Sequence, residues 1–295
     1  MKKWIFVFSL VLAFNAYGVN DWTDCGTDAH GNTANCQYKI DTDGTLTIRG
    51  IGENGNIGNW LESSPPWMAQ KNNIHNVVIE NSIKDLGQRA FKGIRTIDPV
   101  QVPSSITQIS DYAFNESSIK EVILPNSVVS IGWDAFSWSS LSKIDIPDSV
   151  TTIDSWAFRG TNLENIVFPD TLTSIGAATL TYLKHLKTLT IGENTELKNA
   201  FYLSSDTSIG VDFENLQIYC TGNTAKCDAN LETAGYPNLK SQKATTKQIN
   251  GVTYVYDASG KLVTTSGSRK EKRIYTIDEA NQVTGTKNRV SIMYR

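Results

Sequence analysis

Residues 141–158 read Leu-Ser-Lys-Ile-Asp-Ile-Pro-Asp-Ser-Val-Thr-Thr-Ile-Asp-Ser-Trp-Ala-Phe. Ile144 and Ile146 alternate with polar residues, the period-two pattern of a short strand with one apolar face. Pro147 ends that strand because it has no N–H to give to a ladder. Val150 and Ile153 lie in a second short extended piece. Ala157-Phe158 then sets a small side chain beside a large one, which lets neighbouring coils interlock.

The same pattern runs outward in both directions. Pro103, Pro125, Pro147 and Pro169 are spaced 22 residues apart. Three residues before each stand Val100, Val122, Ile144 and Ile166, and one before stand Val102, Leu124, Ile146 and Phe168. Three after come Ile106, Val128, Val150 and Leu172, and six after come Ile109, Ile131, Ile153 and Ile175. Ala113-Phe114, Ala135-Phe136 and Ala157-Phe158 close their units, with Thr179-Leu180 in the same place. With Glu80, Gly192 and Tyr219 in the proline column the frame reaches from Ile74 to Ile218, giving seven strand-like triplets. A fixed period of this length predicts a solenoid, in which one unit cannot bury its own apolar face and stacking is required.

Ser149-Val-Thr-Thr-Ile-Asp-Ser-Trp-Ala-Phe158 and Leu141-Ser-Lys-Ile-Asp-Ile-Pro147 resemble the BspA-like, or type 5, leucine-rich repeats. Gly44-Thr-Leu-Thr-Ile-Arg-Gly50, Trp60 and Pro65-Pro66-Trp67 resemble the cap that often precedes them. The resemblance covers about residues 37–227. It implies a β-rich, right-handed leucine-rich-repeat superhelix of 22- or 23-residue units behind an N-terminal β cap. It also implies a secreted or surface-displayed protein, of a kind that often binds host proteins, other microbes or matrix, with no catalytic residues to carry over. One column departs from the family: many members carry a Cys three residues after the Phe, where this chain has Ile94, Ser117, Ser139 and Thr161.

Residues 1–18 are expected to be a signal peptide. Met1-Lys2-Lys3 is basic, Trp4 to Phe14 is apolar and too short for a comfortable membrane span, and Ala16-Tyr17-Gly18 offers a cleavage site. The chain has no other apolar stretch long enough to span a bilayer. Export makes disulfides the default for Cys25, Cys36, Cys220 and Cys227. Three connectivities are possible, and proximity favours Cys25–Cys36 with Cys220–Cys227, each closure contributing roughly 2.5–3 kcal/mol. Zinc is the rival reading, weakened because the pairs are far apart and His30, His75 and His185 show no ligand spacing.

The expected organisation is an N-terminal β cap over 19–73, a solenoid over 74–227, a polar linker over 228–248 and a small C-terminal α+β module over 249–295. In that module Val252, Tyr254 and Tyr256 lead into an Asp257-Ala-Ser-Gly260 turn, predicting a hairpin. A strand–helix–strand unit is expected beyond it, with strands near 274–276 and 288–294 and a helix over 277–282. The module is a candidate sorting or anchoring unit. Charge is divided: 240–295 carries a net +7 and 19–239 a net −12. The basic end is a candidate contact for an anionic envelope polymer or for the acidic solenoid itself. Nucleic acid comes a poor third as a partner, given the export signal, and none is expected.

No nucleophile elbow, P-loop, dinucleotide fingerprint or His-Glu-x-x-His is present, and no cofactor is expected. Asp41-Thr-Asp43-Gly44 opens like a calcium loop, but Gly52 stands where the twelfth position needs an acid, so a hairpin turn is expected. The candidate ligand-binding residues are aromatics outside the core columns. Tyr112 and Trp156 share one column, Trp133 stands one place earlier, and Trp138 with Tyr182 share another. They either line a flank that binds sugar rings or protein, or pack over neighbouring coils. The functional expectation is a non-enzymatic binding or adhesion scaffold, secreted or on the cell surface, for protein or carbohydrate. A structural envelope or matrix protein is the alternative, and an enzyme with its site in the C-terminal module comes after it.

Overall fold

The computed structural model describes residues 22–28, 31–60, 64–95, 100–201, 211–249 and 252–265, and the strands Tyr275–Ile277 and Val283–Thr286. The expected signal peptide lies outside the described residues, as do 278–282 and 288–294, where a helix and a strand were expected.

Each coil contributes two short strands to parallel ladders. In the first, Val100–Gln101 pairs with Glu121–Ile123, and that with Lys143–Asp145. The ladder resumes as Asn165–Val167, Thr188–Ile191 and Gln217–Cys220. The second ladder joins Gln108–Ile109, Ser130–Ile131, Thr152–Ile153 and Ser174–Ile175. Equivalent positions pair without slippage: Ile131 faces both Ile109 and Ile153. A one-residue slip would turn the buried isoleucines to solvent.

The prolines do more than end strands. Each proline carbonyl accepts from the N–H three residues on, as from Val128 to Pro125 and from Val150 to Pro147, which closes a β-turn between the two strands of a coil. Inside that turn a hydroxyl reaches back to the coil before. Ser105 donates to the Ile83 carbonyl, Ser127 to Ile106, Ser149 to Val128, Thr171 to Val150 and Thr195 to Leu172.

The core is one continuous cluster from the cap to the C-terminal helix. Its spine is a file of nearly parallel rings: Phe91 on Phe114 at 5.3 Å, Phe114 on Phe136 at 5.5 Å and Phe136 on Phe158 at 5.8 Å. Trp67 of the cap extends the file onto Phe91, and its indole N–H donates to the Ala90 carbonyl. The alanine before each phenylalanine is fully buried. In the column where the family places Cys, the Ser117 and Thr161 hydroxyls donate to the Phe114 and Phe158 carbonyls and satisfy groups that a thiol would serve poorly.

The cap is the first rung of the ladder. The hairpin Cys36–Ile40 and Thr45–Gly50 pairs in parallel with Asn76–Ile79, and a Cys25–Cys36 disulfide ties in the strand Thr23–Asp24. Asp41 to Gly44 form the hairpin turn, with the Gly44 N–H on the Asp41 carbonyl.

The far end departs from the expected layout. The stretch expected as a linker, 228–248, holds most of a helix, Thr224–Thr233, and of a strand, Ser241–Ile249. The Asn223 side chain caps the helix, Cys220–Cys227 staples it to the last ladder strand, and Asn230 donates to the Glu193 and Thr195 carbonyls of the last coil. Ser241–Ile249 then pairs in parallel with Gln217–Cys220 and carries the sheet on through Val252–Asp257 and Leu262–Thr265. Polarity misled the sequence reading because the helix buries only Cys227 and Leu231, and the strand mainly Ala244. Their backbones provide the hydrogen bonds that their side chains do not advertise. The Asp257–Gly260 turn forms as expected, with the Asp257 carboxylate accepting from the Ser259 and Lys261 N–H groups. Further on, Tyr275–Ile277 pairs antiparallel with Val283–Thr286, which places Ile277 in a strand where a helix was expected to begin.

This sheet extension also folds against the ladder. Val167, Tyr219, Ala244 and Val255 form a second small core, and the Thr253 hydroxyl donates to Asp145 at 3.0 Å.

Candidate binding surface

On either side of Ala-Phe the backbone enters the left-handed region. One column comprises Arg89, Tyr112, Asp134, Trp156, Ala178 and Asn199, and the other Gly93, Glu116, Trp138, Gly160 and Tyr182, all with φ between 52° and 71°. For L residues this conformation is disfavoured by roughly 1–2 kcal/mol. Inter-coil hydrogen bonds hold it: the Tyr112 N–H donates to the Trp133 carbonyl, Trp156 to Ala177 and Trp138 to Arg159. The backbone thus satisfies itself along the stack, and most side chains of these columns reach the coil surface, Asp134 and Ala178 being buried.

All five aromatics singled out from the sequence lie in or beside these columns. They form two groups. Tyr112 meets Trp133 edge to face at 4.9 Å, and Trp133 meets Trp156 at 4.9 Å with a 35° tilt. Trp138 meets Tyr182, two coils away, at 5.2 Å. That second contact needs a gap, and Gly160 supplies it: a Cβ there would stand 2.4 Å from the Trp138 ring. The rings pack on one another and also reach solvent. Trp138 is 48% exposed, and the other four are half-buried.

Three cations complete the surface, and none was singled out from the sequence. The Arg159 guanidinium stands 5.4 Å from Trp138, 5.5 Å from Trp156 and 5.1 Å from Tyr182, so it joins the two groups. Arg89 and Lys92 lie over Tyr112 at 5.0 and 5.8 Å. Arg159 follows Phe158 directly, in a column that elsewhere holds Lys92, Asn115, Ser137 and Thr181. Only the coordinates show that this column borders the aromatics. Asp134, in the same column as Tyr112 and Trp156, has its carboxyl pushed up chiefly by burial, against the lowering pull of nearby Ser137, Arg159 and Lys92. The Tyr112 phenol is likewise raised, first by burial and then by Asp134, with Arg89 opposing.

Among the described residues, no group of three or more His, Cys, Asp or Glu side chains is placed to hold a metal ion, and no helix is long and apolar enough to cross a membrane.

Parallel strand ladders on a short fixed repeat, with a phenylalanine spine and turns that carry outward side chains, define a leucine-rich repeat protein. The chain belongs to the BspA type leucine rich repeat region family, whose model matches in six copies over residues 67–187 and 107–228. Among solved structures it is similar to a leucine-rich repeat protein from Eubacterium ventriosum, with 21% identity and a TM-score of 0.42, covering 77% of this chain and 47% of that one. A leucine rich cell surface protein from Faecalibacterium prausnitzii gives 19% identity and a TM-score of 0.38, with 77% and 58% covered. The pneumococcal vaccine antigen PcpA gives 20% identity and a TM-score of 0.36, with 55% and 57% covered. The chain spans about half the length of these three. No curated protein matches it.

Proposed function

We propose that the chain is an exported, non-enzymatic recognition protein that binds a protein or glycan at or outside the cell surface. The observation that carries this is the array of five aromatic rings and three cations on one surface, outside the spine that holds the fold together. Trp, Tyr and Arg are the residues most enriched where binding energy concentrates. The aromatic rings are rigid, and here they are held in place by their neighbours, so little of their side-chain freedom is lost on binding. The signal-like N-terminus and the paired cysteines support export. In this reading the solenoid is right-handed, on 22- or 23-residue units.

A second reading, attachment to an anionic envelope polymer, draws on the basic C-terminal end. Lys240, Lys243, Lys247 and Lys261 are all exposed on or beside the sheet extension.

The test is to probe a glycan array and a panel of immobilised extracellular-matrix proteins with residues 19–295. Saturable binding is expected, and Trp133→Ala/Trp156→Ala is expected to weaken it at least tenfold. Saturable binding that this variant leaves unchanged overturns the reading.

A further inference from the structure

A cleft of about 320 Å³ lies where the cap meets the first two coils, at the small end of the range for ligand pockets. Its walls come from three places. Asp28 and Asn32 belong to the loop closed by Cys25–Cys36, Asn56 and Asn59 to the segment around the Gly55–Asn56 strand, and Asp85, Gln88, Gln108 and Asp111 to the coils. Two backbones are pressed together to form it: a Cβ on Gly87 would stand 1.7 Å from the Gly58 carbonyl oxygen.

The wall chemistry is specific. Three carboxylates, Asp28, Asp85 and Asp111, face the space, and none of the described lining residues is Lys, Arg or His. An anionic ligand is disfavoured there. The remaining polar groups are mostly amides, which both donate and accept. Some are engaged within the wall. Gln88 donates to Asp111 at 3.1 Å, Asn32 donates to Asp28 at 3.2 Å, and Asp85 accepts from the Gly87 N–H at 2.8 Å. Two are not: the Asn59 Oδ1 and Gln88 Oε1 oxygens are shut off from bulk water and have no hydrogen-bond partner. Orphaned acceptors of this kind are rare in folded proteins.

A ligand that suits these walls is uncharged, gives and takes hydrogen bonds at several points, and fits a small space. Hydroxyl groups on a sugar ring do this. An ammonium or guanidinium gives only donors, so it answers the carboxylates and the two orphaned oxygens but offers nothing to an amide N–H. A bound metal ion needs converging ligands, and the described residues offer no such group. The cleft also adjoins the aromatic surface: Gln88 and Asp111 immediately precede Arg89 and Tyr112 in the chain, and the Trp133 N–H donates to Asp111 Oδ1 at 2.9 Å.

We propose that this cleft is a subsite for one or two rings of a neutral oligosaccharide, whose further rings lie along Tyr112 and Trp133. The assignment rests on the recognition reading above and names the ligand class for it.

The test is calorimetry on residues 19–295 with neutral trisaccharides (maltotriose, cellotriose, chitotriose, mannotriose), with sialyllactose, with trilysine and with calcium. At least one neutral trisaccharide is expected to bind saturably, at least tenfold more tightly than sialyllactose. Gln108→Ala and Asp85→Asn are each expected to weaken it at least fivefold, with circular dichroism showing the fold intact. Asp85→Asn keeps the oxygen that accepts from Gly87, and Gln108 is exposed, so neither variant removes a structural contact. Sugar binding lost in Trp133→Ala/Trp156→Ala but unchanged in both cleft variants overturns the cleft and leaves the recognition reading standing. Binding of trilysine or calcium that the cleft variants abolish overturns the ligand class. Matrix-protein binding with no sugar binding also overturns the cleft alone, whereas no binding to any probe, glycan or protein, removes both.

Discussion

Phe136 and Trp138 stand two residues apart in one coil and have opposite relations to the molecule. Phe136 is fully buried and stacked in a file that repeats at every coil. Trp138 is 48% exposed and meets one aromatic neighbour, across a gap that exists because Gly160 lacks a side chain. The first position is dictated by stacking, since each ring must fill the space left by the ring before it. The second is set by a turn whose backbone hydrogen bonds are complete without it, so the side chain is free to vary. Aromatic residues in the periodic column therefore hold the fold, and aromatic residues in the turn columns are available for recognition.

The sharpest way to break this comparison is to truncate the spine. Phe136→Ala should lose about 3–5 kcal/mol of stability, because the neighbouring rings cannot close the cavity. Chemical denaturation measures this, and a loss below about 1 kcal/mol would mean that the stack is not the main support.

Next comes the far end of the spine's core. Cys220→Ser/Cys227→Ser frees the capping helix from the last ladder strand, and a loss of about 2–4 kcal/mol is expected. Hydrogen exchange should then show faster exchange in Thr224–Thr233 than in the Phe114 coil.

Gly160→Ala tests the gap. An alanine must adopt φ near 67° and its Cβ meets the Trp138 ring, so a loss of about 1–2 kcal/mol should accompany a change in tryptophan fluorescence. An unchanged emission spectrum would show that the indole does not lie over Gly160.

The smallest effect is a pH dependence. The Asp134 carboxyl has a raised pKa in the folded state, so the folded protein binds this proton more tightly than the unfolded chain does. Stability contributed by this group is then present below its ordinary value of 3.8 and declines as pH rises through the raised one. Asp134→Asn should flatten that part of the stability profile, and an unchanged profile would place the carboxylate in a more watery setting.

The sequence made the spine and ladders legible because stacking imposes one requirement on every coil, and repetition makes the requirement visible. The turn columns were half legible. Tyr112, Trp133, Trp138, Trp156 and Tyr182 stood out as aromatics off the core pattern, but the left-handed backbone beneath them did not, because non-glycine residues occupy most of its positions. Arg159 was not legible, because its role depends on the distance between two groups of rings in different coils. The Ser241–Ile249 strand was hidden for another reason. It joins the sheet through its backbone and exposes Lys, Gln and Thr side chains, a composition that also describes a linker.

The central claim is that the inner rings hold the fold and the outer rings hold the ligand. Its most direct test is to measure urea unfolding and binding to the glycan and matrix panels for Phe136→Ala and for Trp138→Ala/Tyr182→Ala side by side. The first variant is expected to lose about 3–5 kcal/mol but still to bind while folded. The second is expected to stay within about 1 kcal/mol of the parent and to lose at least tenfold in binding. A second variant that unfolds as readily as the first while binding as well as the parent would contradict that claim.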